Sequence, residues 1–322
     1  MKQYTSLYFV GAGGIGMSAL VRYFLAKGYK VAGYDRTQSP LTTELKTEGL
    51  EIVYEESVES IPDYCRNPET TLVVYTPAIP ASHAGLVYFR EHGFRVVKRA
   101  ELLGLITQSS KGLCFAGTHG KTTTSSMAAH IFHESPIGCN AFLGGILRNY
   151  NSNLILSEQS PFTVIEADEY DRSFHWLHPY MAVVTATDPD HLDIYGTEEA
   201  YLESFARFTS LIQPGGCLIM KKGIKLVPSV KENVKIYTYS ARDGGDFHAG
   251  NIRIGDGTIV FDFVMPEGSV ADIELGVPVE INIENAVAAM AIAWLNGVSV
   301  SYTHLRAHET LRHLVCRLLL EK

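Results

Sequence analysis

Apolar residues occur along the chain in short runs, and stretches with helical spacing separate these runs. The first run, Leu7–Val10, precedes a segment from Met17 to Lys27 with apolar positions at helical intervals, and Gly28 stands where a helix-terminating glycine is expected. Further runs rich in β-formers follow at Val31–Tyr34, Thr71–Tyr75 and Arg95–Lys98. Strands that alternate with helices are typical of a parallel α/β sheet, so residues 1–106 are predicted to form a first α/β domain.

The same alternation resumes after a polar stretch, Thr107–Lys111, which we interpret as a linker. A strand over Leu113–Ala116 and a helix over Thr122–Phe132 begin a second domain, predicted to span residues 107–299. Later strands are predicted at Thr163–Ile165, Met181–Thr185, Cys217–Met220 and Lys235–Tyr239. The remaining predicted elements are a hairpin, with strands Ile252–Ile254 and Thr258–Val264 around Gly255-Asp256-Gly257, and an alanine-rich helix over Asn285–Leu295. The second domain is therefore predicted to be α/β, with a parallel sheet and a small antiparallel part.

Composition excludes several classes of protein. Of the 322 residues 46% are hydrophobic and 19% charged, which is typical of a folded globular chain and not of a disordered one. A net charge of −8 argues against a nucleic-acid partner, which would require a basic surface. No apolar run reaches the ~18 residues of a membrane span. The five cysteines form no Cys-x-x-Cys pair, which favours reduced thiols. We therefore expect a cytoplasmic protein with neither nucleic-acid nor membrane partners.

The first strand leads into a glycine-rich segment, Gly11-Ala12-Gly13-Gly14-Ile15-Gly16. The spacing Gly-x-Gly-x-x-Gly between a strand and a helix is typical of loops whose backbone N–H groups bind a diphosphate. Asp35 ends the next strand about 20 residues later, at the position of a ribose-binding acid. The residues leave three alternatives open: a nicotinamide or flavin dinucleotide, another diphosphate ligand, or a plain tight turn with Asp35 as a helix N-cap.

A second glycine segment, Gly117-Thr118-His119-Gly120-Lys121-Thr122-Thr123-Thr124, follows a buried-type strand and begins a helix. Loops of this kind surround phosphates with backbone amides, reach the terminal phosphates with the lysine and bind Mg²⁺ through the following hydroxyl. Phe115 stands where the general pattern has its first glycine. The strand–loop–helix context nevertheless predicts a nucleotide site.

Two further segments of the second domain carry chemically suitable side chains at predicted strand ends. Glu166 ends a strand, where P-loop enzymes place a magnesium-binding acid. His191 follows the next strand in Asp188-Pro189-Asp190-His191, and the nearby nucleotide loop favours a functional interpretation of this histidine. Three other acids, Glu169, Asp171 and Asp193, are interpreted as solvated or helix-capping residues.

Together these segments resemble the Mur ligases, the ATP-dependent amide ligases of peptidoglycan synthesis. The resemblance rests on VGAGGIGMSAL, GTHGKTTT, EADEYDRSF and DPDHLDIYG, and it covers residues 5–299. It implies a Rossmann-like first domain, a P-loop-type ATPase second domain, and ATP and Mg²⁺ as cofactors. It also implies that the front loop holds the diphosphate of UDP-N-acetylmuramate, not a nicotinamide cofactor. The implied reaction joins L-alanine to the lactyl carboxylate of that sugar nucleotide through an acyl phosphate.

The resemblance also implies roles for individual residues. The implied UDP-sugar-binding residues are Gly11, Ala12, Gly13, Gly14, Ile15, Gly16, Asp35, Thr76, Ala78 and Ser173. The implied ATP-binding residues are Gly117, Thr118, His119, Gly120, Lys121, Thr122, Thr123, Asn282 and Asn285. The implied catalytic residues are Lys121, Glu166 and His191, with Lys121 at the γ-phosphate, and the implied magnesium ligands are Thr122, Glu166 and His191. His119 and Ser173 are implied to lie toward the carboxylate of the sugar nucleotide.

Other hypotheses stay open at this point. Within the family, a murein-recycling ligase attaches a tripeptide to the same sugar nucleotide. Outside it stand a non-catalytic protein that binds a nucleotide or UDP-sugar, and a nicotinamide oxidoreductase. The oligomeric state is open as well, a homodimer included.

The sequence departs from the family pattern in three ways. Ile281 replaces the histidine of the adenine-binding segment, and Thr185-Ala186-Thr187 lacks the usual asparagine. Family members carry a third, carboxyl-terminal domain that nothing here supplies, so we expect this chain alone to be inactive as a ligase. Residues 300–322 are rich in histidine and arginine, and two interpretations are open: an amphipathic helix, or a non-native tail encoded by a cloning adapter.

Overall fold

The structure, a computed structural model, describes residues 3–147, 149–242, 244–255, 257–275 and 279–298. These residues form two compact units that divide after Ile106. The two interpretations of residues 300–322 therefore lie outside the described residues, as does Asp256 of the predicted Gly-Asp-Gly turn. No helix within the described ranges is both long and apolar enough to cross a membrane.

The first unit consists of strands and helices that alternate along the chain. Its elements are β1 (Ser6–Val10), α1 (Ile15–Ala26), β2 (Lys30–Tyr34), α2 (Pro40–Thr47), β3 (Glu51–Val53), a short 3₁₀ helix (Asp63–Cys65), β4 (Thr71–Tyr75), α3 (Ala84–Glu91) and β5 (Arg95–Lys98). The sheet has the order β3-β2-β1-β4-β5, and every pairing is parallel. The predicted Rossmann-like fold of this unit is confirmed.

The position of the first glycine loop follows from this strand order. All five residues of β1 are buried, which places this strand in the middle of the sheet. Strand β2 lies on one side of β1, and β4 lies on the other side. In open parallel sheets, ligands bind at the carboxyl edge where the strand order reverses in this way. The loops that follow β1 and β4 therefore meet at the expected ligand crevice of this unit.

The second unit begins without the extended linker predicted over Thr107–Lys111. Helix α4 (Arg99–Gln108) continues into that stretch, and a strand begins at Lys111, so only Ser109 and Ser110 connect the two elements. The polar side chains of this segment led to the wrong interpretation, because a helix end and the first residue of a strand are also polar where they are exposed.

Ten strands of the described residues form the sheet of the second unit. Its elements are β6 (Lys111–Ala116), α5 (Lys121–Glu134), β7 (Asn140–Leu147), β8 (Ser152–Ile155), β9 (Phe162–Glu166), a 3₁₀ segment (Tyr170–Trp176), β10 (Pro179–Val184), α6 (Leu192–Tyr195), α7 (Glu198–Ser210), β11 (Cys217–Lys221), β12 (Lys235–Ser240), β13 (Phe247–Gly255), β14 (Thr258–Met265), β15 (Gly268–Leu275) and α8 (Ile281–Leu295). Their order is β15-β14-β13-β12-β11-β10-β6-β9-β7-β8.

Most of this second sheet is parallel. Strand β6 lies between β10 and β9, and both pairings are parallel, so the three strands end at the same edge. Antiparallel pairing is confined to β13–β14–β15 and to β7–β8. The predicted parallel sheet with a small antiparallel part is confirmed, although the antiparallel part has one strand more than the predicted hairpin and a second pair on the far side.

Small side chains allow α5 and α8 to pack together over the sheet. Both helices contribute buried alanines to one hydrophobic core, among them Ala128, Ala129, Ala288 and Ala289. A helix that is apolar on all sides, as α8 is over most of its length, is stable only when it is surrounded by protein. This packing sets the distance between the amino-terminal ends of the two helices.

We predict that Ala289→Leu lowers the free energy of unfolding by about 1–3 kcal/mol, since a close-packed core has no room for the added carbon atoms. Ala289 is fully buried, whereas Ala26, at the exposed end of α1, offers a matched control. Urea unfolding followed by circular dichroism measures both variants. Equal transition midpoints for Ala289→Leu and Ala26→Leu would contradict the tight packing of α8.

Candidate functional site

The loop between β6 and α5 has no room for side chains where it meets β10. Gly117 has φ +139°, and a Cβ atom there would lie 2.2 Å from Oγ1 of Thr185 and 2.7 Å from the backbone nitrogen of Ala186. Gly120 has φ +84°, and its Cβ would lie 2.9 Å from Oδ1 of Asn285. Only glycine satisfies both the backbone angles and the close approach. The loop backbone is therefore held directly against its neighbours.

Hydrogen bonds from Thr118 and Thr185 fix the path of this loop. The Thr118 hydroxyl lies 2.7 Å from the Asp188 carbonyl oxygen and 2.9 Å from the Tyr201 hydroxyl. The Thr185 hydroxyl lies within hydrogen-bond distance of the carbonyl oxygens of Ala116 and His119 and donates to one of them at a time. Thr185, in the segment that lacks the usual asparagine of the family, thus supports the loop with its own polar contacts. The His119 side chain is exposed and that of Thr123 half-buried.

Lys121, the first residue of α5, is ion-paired with Glu169. Its Nζ lies 2.9 Å from Oε1 and 2.8 Å from Oε2 of Glu169, and it donates to the carbonyl oxygen of Gly117 at 2.6 Å. Glu169 is 2% exposed. The interpretation of Glu169 as a solvated or capping residue was therefore wrong, whereas Asp171 and Asp193 are indeed exposed. The sequence carried one weak signal for Glu169, its place three residues after the strand-end acid Glu166.

Thr122 and Glu166 bring two oxygen donors together at the start of α5. The Thr122 hydroxyl donates to Oε1 of Glu166 at 2.8 Å, and the Gly144 amide donates to Oε2 at 3.0 Å. Burial raises the pKa of Glu166, and its hydrogen bonds with Thr122 and Gly144 and the charge of Lys121 oppose that shift. A hydroxyl and a carboxylate beside a phosphate loop are the donors that Mg²⁺ uses together with water and substrate phosphates. These two residues fit such an ion.

His191 contacts Asp190 and Tyr170 through its side chain. It adopts a left-handed backbone with φ +52°, and its Nε2 lies 3.8 Å from a carboxylate oxygen of Asp190. Its ring meets that of Tyr170 edge-on at 5.2 Å between centroids. In the described part of the chain, no three His, Cys, Asp or Glu side chains are close enough together to hold a metal. The role of His191 at Mg²⁺ stays a prediction.

The two predicted asparagines of α8 lie against the nucleotide loop. Oδ1 of Asn285 accepts a hydrogen bond from the Thr124 hydroxyl at 3.1 Å, and its Nδ2 donates to Oδ1 of Asn282 at 3.3 Å. Asn285 is buried, and Gly120 packs beside it. Helix α8 begins at Ile281, four residues before the predicted start, so the asparagine pair lies in its first turns.

In the first unit, the amides at the start of the glycine loop already have acceptors. The amides of Gly11 and Ala12 donate to the Tyr34 carbonyl oxygen at 2.8 and 3.0 Å, and that of Gly13 donates to Oδ2 of Asp35 at 2.7 Å. The following residues, from Gly14 onward, form the cap and first turn of α1, and the Met17 amide donates to the Gly14 carbonyl oxygen at 2.9 Å. The amino-terminal end of a helix favours an anion, so this end of the loop is the expected place for a diphosphate.

Asp35 binds to the glycine loop and does not cap a helix. Its Oδ1 accepts from the Thr37 amide at 3.1 Å, so each carboxylate oxygen already takes part in a backbone hydrogen bond. The cap of α2 is Ser39, whose hydroxyl accepts from the Thr42 amide. The helix N-cap interpretation of Asp35 was therefore wrong: the carboxylate holds the glycine loop in place.

The remaining predicted sugar-nucleotide residues are spread over both units. Thr76 packs against the glycine loop, because a Cβ on Gly11 would lie 2.9 Å from its methyl carbon. Ala78 is exposed in the same loop after β4. Ser173 belongs to the second unit, where it lies half-buried directly after Asp171 and Arg172, which both have left-handed backbones.

Comparison with protein families gives two matches that follow one another along the chain. The family model described as "Mur ligase family, catalytic domain" matches residues 6–111. The model described as "Mur ligase middle domain" matches residues 115–293, which is more than half of the chain.

The curated relatives extend beyond the matched part. The UDP-N-acetylmuramate–L-alanine ligase of Parabacteroides distasonis is 67% identical over 298 residues, which are 92% of this chain and 64% of the relative. The protein of the same name from Porphyromonas gingivalis is 55% identical over 295 residues, 91% of this chain and 65% of the relative. The chain thus spans slightly less than two thirds of the length of these relatives.

Solved structures show the same fold at low sequence identity. A UDP-N-acetylmuramate:L-alanyl-γ-D-glutamyl-meso-diaminopimelate ligase from Neisseria meningitides superposes with a TM-score of 0.81 at 22% identity, covering 96% of this chain and 98% of that one. The UDP-N-acetylmuramate-alanine ligase of Thermotoga maritima gives 0.79 at 24% identity, covering 95% and 68%. These likenesses concern the fold, and the match of the middle-domain model over more than half of this chain's length shows that the chain belongs to the Mur ligase family.

Proposed function

We propose that this chain provides the sugar-nucleotide and ATP sites of a ligase that joins L-alanine to UDP-N-acetylmuramate. The observation that carries the ATP part is the cluster formed by Lys121, Thr122 and Glu166 at the end of the 117–120 loop. The substrates are taken from the names of relatives up to 67% identical to this chain. We assign sugar-nucleotide binding to residues 1–106 and ATP binding to residues 107–299.

The chain's own residues give ATP a defined orientation. The loop amides and the Lys121 ammonium lie at the amino-terminal end of α5, where the helix dipole favours an anion. Asn282 and Asn285 lie behind the loop, on the side assigned to the adenine. Thr122 and Glu166 would hold Mg²⁺, which when bound neutralises charge on the phosphate oxygens.

In the proposed reaction, a lactyl carboxylate oxygen attacks the γ-phosphorus of ATP. The bond to the β–γ bridging oxygen breaks, and ADP leaves with its electron pair. The amine of L-alanine then attacks the acyl carbon of the resulting acyl phosphate, loses a proton and displaces inorganic phosphate. The part of Lys121 is to stabilise the negative charge that develops on the phosphates, and fixed charges of this kind contribute much of the rate enhancement.

We assign a sugar nucleotide rather than a nicotinamide cofactor to the first unit, because the names of the relatives give UDP-N-acetylmuramate. Asp35, at the position of a ribose-binding acid, accepts from the backbone amides of Gly13 and Thr37 and so holds the glycine loop in place. We also propose a cytoplasmic location, which fits the four free and buried cysteines of the described residues.

One prediction concerns ligand choice. By calorimetric titration, the 322-residue chain is expected to bind UDP-N-acetylmuramate more tightly than NAD. A Cβ on Gly14 would have no neighbour closer than 3.9 Å, and the backbone there suits alanine. Gly14→Ala should therefore fold normally yet weaken UDP-N-acetylmuramate binding about 10-fold, because its methyl group lies where the diphosphate approaches.

Gly255→Ala is the matched control, since a Cβ there has no neighbour within 4 Å and lies in the second unit. It should leave the affinity unchanged. Tighter binding of NAD than of the sugar nucleotide, or an unchanged affinity in Gly14→Ala, would contradict the assignment of the front loop.

Another prediction concerns Lys121. In a chain extended after residue 298 by the remaining part of the Parabacteroides distasonis relative, Lys121→Ala should lower phosphate release roughly 10²-fold. The substitution also leaves Glu169 buried and unpaired, which costs about 3–5 kcal/mol of stability. The double variant Lys121→Ala/Glu169→Gln removes that charge, so it should recover stability but not activity.

Lys225→Ala removes an exposed lysine that pairs with Glu198, and it should retain full turnover. Wild-type rates of phosphate release in Lys121→Ala would refute the proposed ATP site. A melting temperature of the double variant no higher than that of Lys121→Ala would refute the stranded-charge explanation.

A further inference from the structure

The ion pair between Lys121 and Glu169 is the least exposed ionic contact of the second unit. The side chains of Lys121 and Glu169 are 14% and 2% exposed. The ammonium lies within 3 Å of both carboxylate oxygens and also donates to the Gly117 carbonyl oxygen. The ammonium donates a directed hydrogen bond to Oε1. Oε2 is buried, and no hydrogen-bond donor is aligned on it.

Two tyrosines fix the backbone on either side of this pair. The Tyr195 hydroxyl donates to the Glu169 carbonyl oxygen at 2.5 Å, and the Tyr201 hydroxyl lies 2.9 Å from the Thr118 hydroxyl in the loop. The rings of Tyr195 and Tyr201 meet edge-on with centroids 4.9 Å apart, and burial raises the pKa of both phenols. One aromatic cluster therefore holds both the segment that carries Glu169 and the loop that precedes Lys121.

The cost of separating the pair decides which contact of Lys121 a ligand can replace. Removing the ammonium from Glu169 would leave a carboxylate buried and uncompensated, which is strongly unfavourable. Giving up the bond to the Gly117 carbonyl releases only a neutral acceptor, and that acceptor belongs to the loop on which the phosphates would lie. A phosphate oxygen can therefore replace the Gly117 carbonyl far more easily than it can replace Glu169.

We propose that Glu169 is a positioning residue that stays bound to Lys121 while the N–H group now directed at Gly117 turns to a phosphate oxygen. The proposal rests on the proposed function, in that the phosphate is that of ATP. Because the pair is neutral as a whole, it adds little to the attraction of ATP in the ground state. Its effect is to fix the direction of the ammonium for the charge that develops during phosphoryl transfer.

If Glu169 orients Lys121 and does not itself attract ATP, substitution of Glu169 should slow turnover without weakening ATP binding. Glu169→Gln keeps the shape and one hydrogen-bond acceptor but removes the charge that orients Lys121. In the extended chain described above, kcat should fall about 10-fold or more, as expected for an interaction that acts in the transition state. The Kd of ATP, measured by calorimetry on the 322-residue chain, should stay equal or decrease, because Lys121 loses its counter-charge.

A double-variant cycle tests whether Glu169 acts through Lys121. In the Lys121→Ala background, Glu169→Gln should cause no further loss of kcat, since the group that it orients is gone. Tyr195→Phe is a second test, because it removes the hydroxyl that holds the Glu169 backbone and leaves both charges in place. It should lower kcat several-fold in the wild-type background and have no effect in Lys121→Ala. Glu198→Gln, at the exposed pair with Lys225, is the control and should behave as wild type.

Three results would overturn the proposal while the proposed function stands: wild-type kcat in Glu169→Gln, multiplicative losses in the cycle, or a rise in the ATP Kd that matches the fall in kcat. If Glu169→Gln does not fold, the Tyr195→Phe cycle decides by the same criteria. If the unsubstituted 322-residue chain binds no ATP, both the proposed function and the role of Glu169 are refuted.

Discussion

The close approach of the 117–120 backbone to the end of β10 is the constraint on which the candidate nucleotide site depends. Gly117 and Thr185 lie so close together that a methyl group on Gly117 would force them apart. Because no side chain intervenes, the neighbours of the loop can bond to its backbone directly. Lys121 and Thr122 then begin α5 within hydrogen-bond distance of Glu169, which follows β9, and of Glu166, which ends it. The site thus lies at the edge of the sheet, and contacts with that edge fix the conformation of the loop.

Much of the fold could be predicted from the sequence, because its strands are short, apolar and bounded by glycine or polar residues. The strands Thr71–Tyr75 and Arg95–Lys98 have the predicted bounds. The 107–111 segment was misread, since local polarity does not distinguish a linker from a helix end next to a strand. Strand β15 was missed because its alternation is weak: in Gly268–Leu275 only Val270, Ile273 and Leu275 are buried.

The candidate site was predictable where a motif is contiguous and unpredictable where it depends on distant partners. The segment 117–124 indicated its own place between a strand and a helix, and the asparagines named by resemblance lie beside it. Glu169 was misread because its partner is 48 residues away and its neighbours, Asp168 and Tyr170, are polar. Nothing local distinguishes a carboxylate that is solvated from one that a lysine holds in the interior. For Asp35, the ligand-binding role stays a prediction, and only coordinates show that its carboxylate bonds to the loop itself.

The sequence separation of the contacts around the loop has a consequence for synthesis on the ribosome. Lys121 meets Glu169 after 48 further residues, Thr118 meets Tyr201 after 83, and Thr124 meets Asn285 after 161. At about 5–20 residues per second, the last of these partners is added roughly 8–30 s after the loop. During that interval the nascent chain carries the 117–120 loop without the contacts that α8 later provides. Strands β9 and β10 and the buried Glu169 are synthesised before α8. The side of the site around Lys121 can therefore fold before the side that contacts α8.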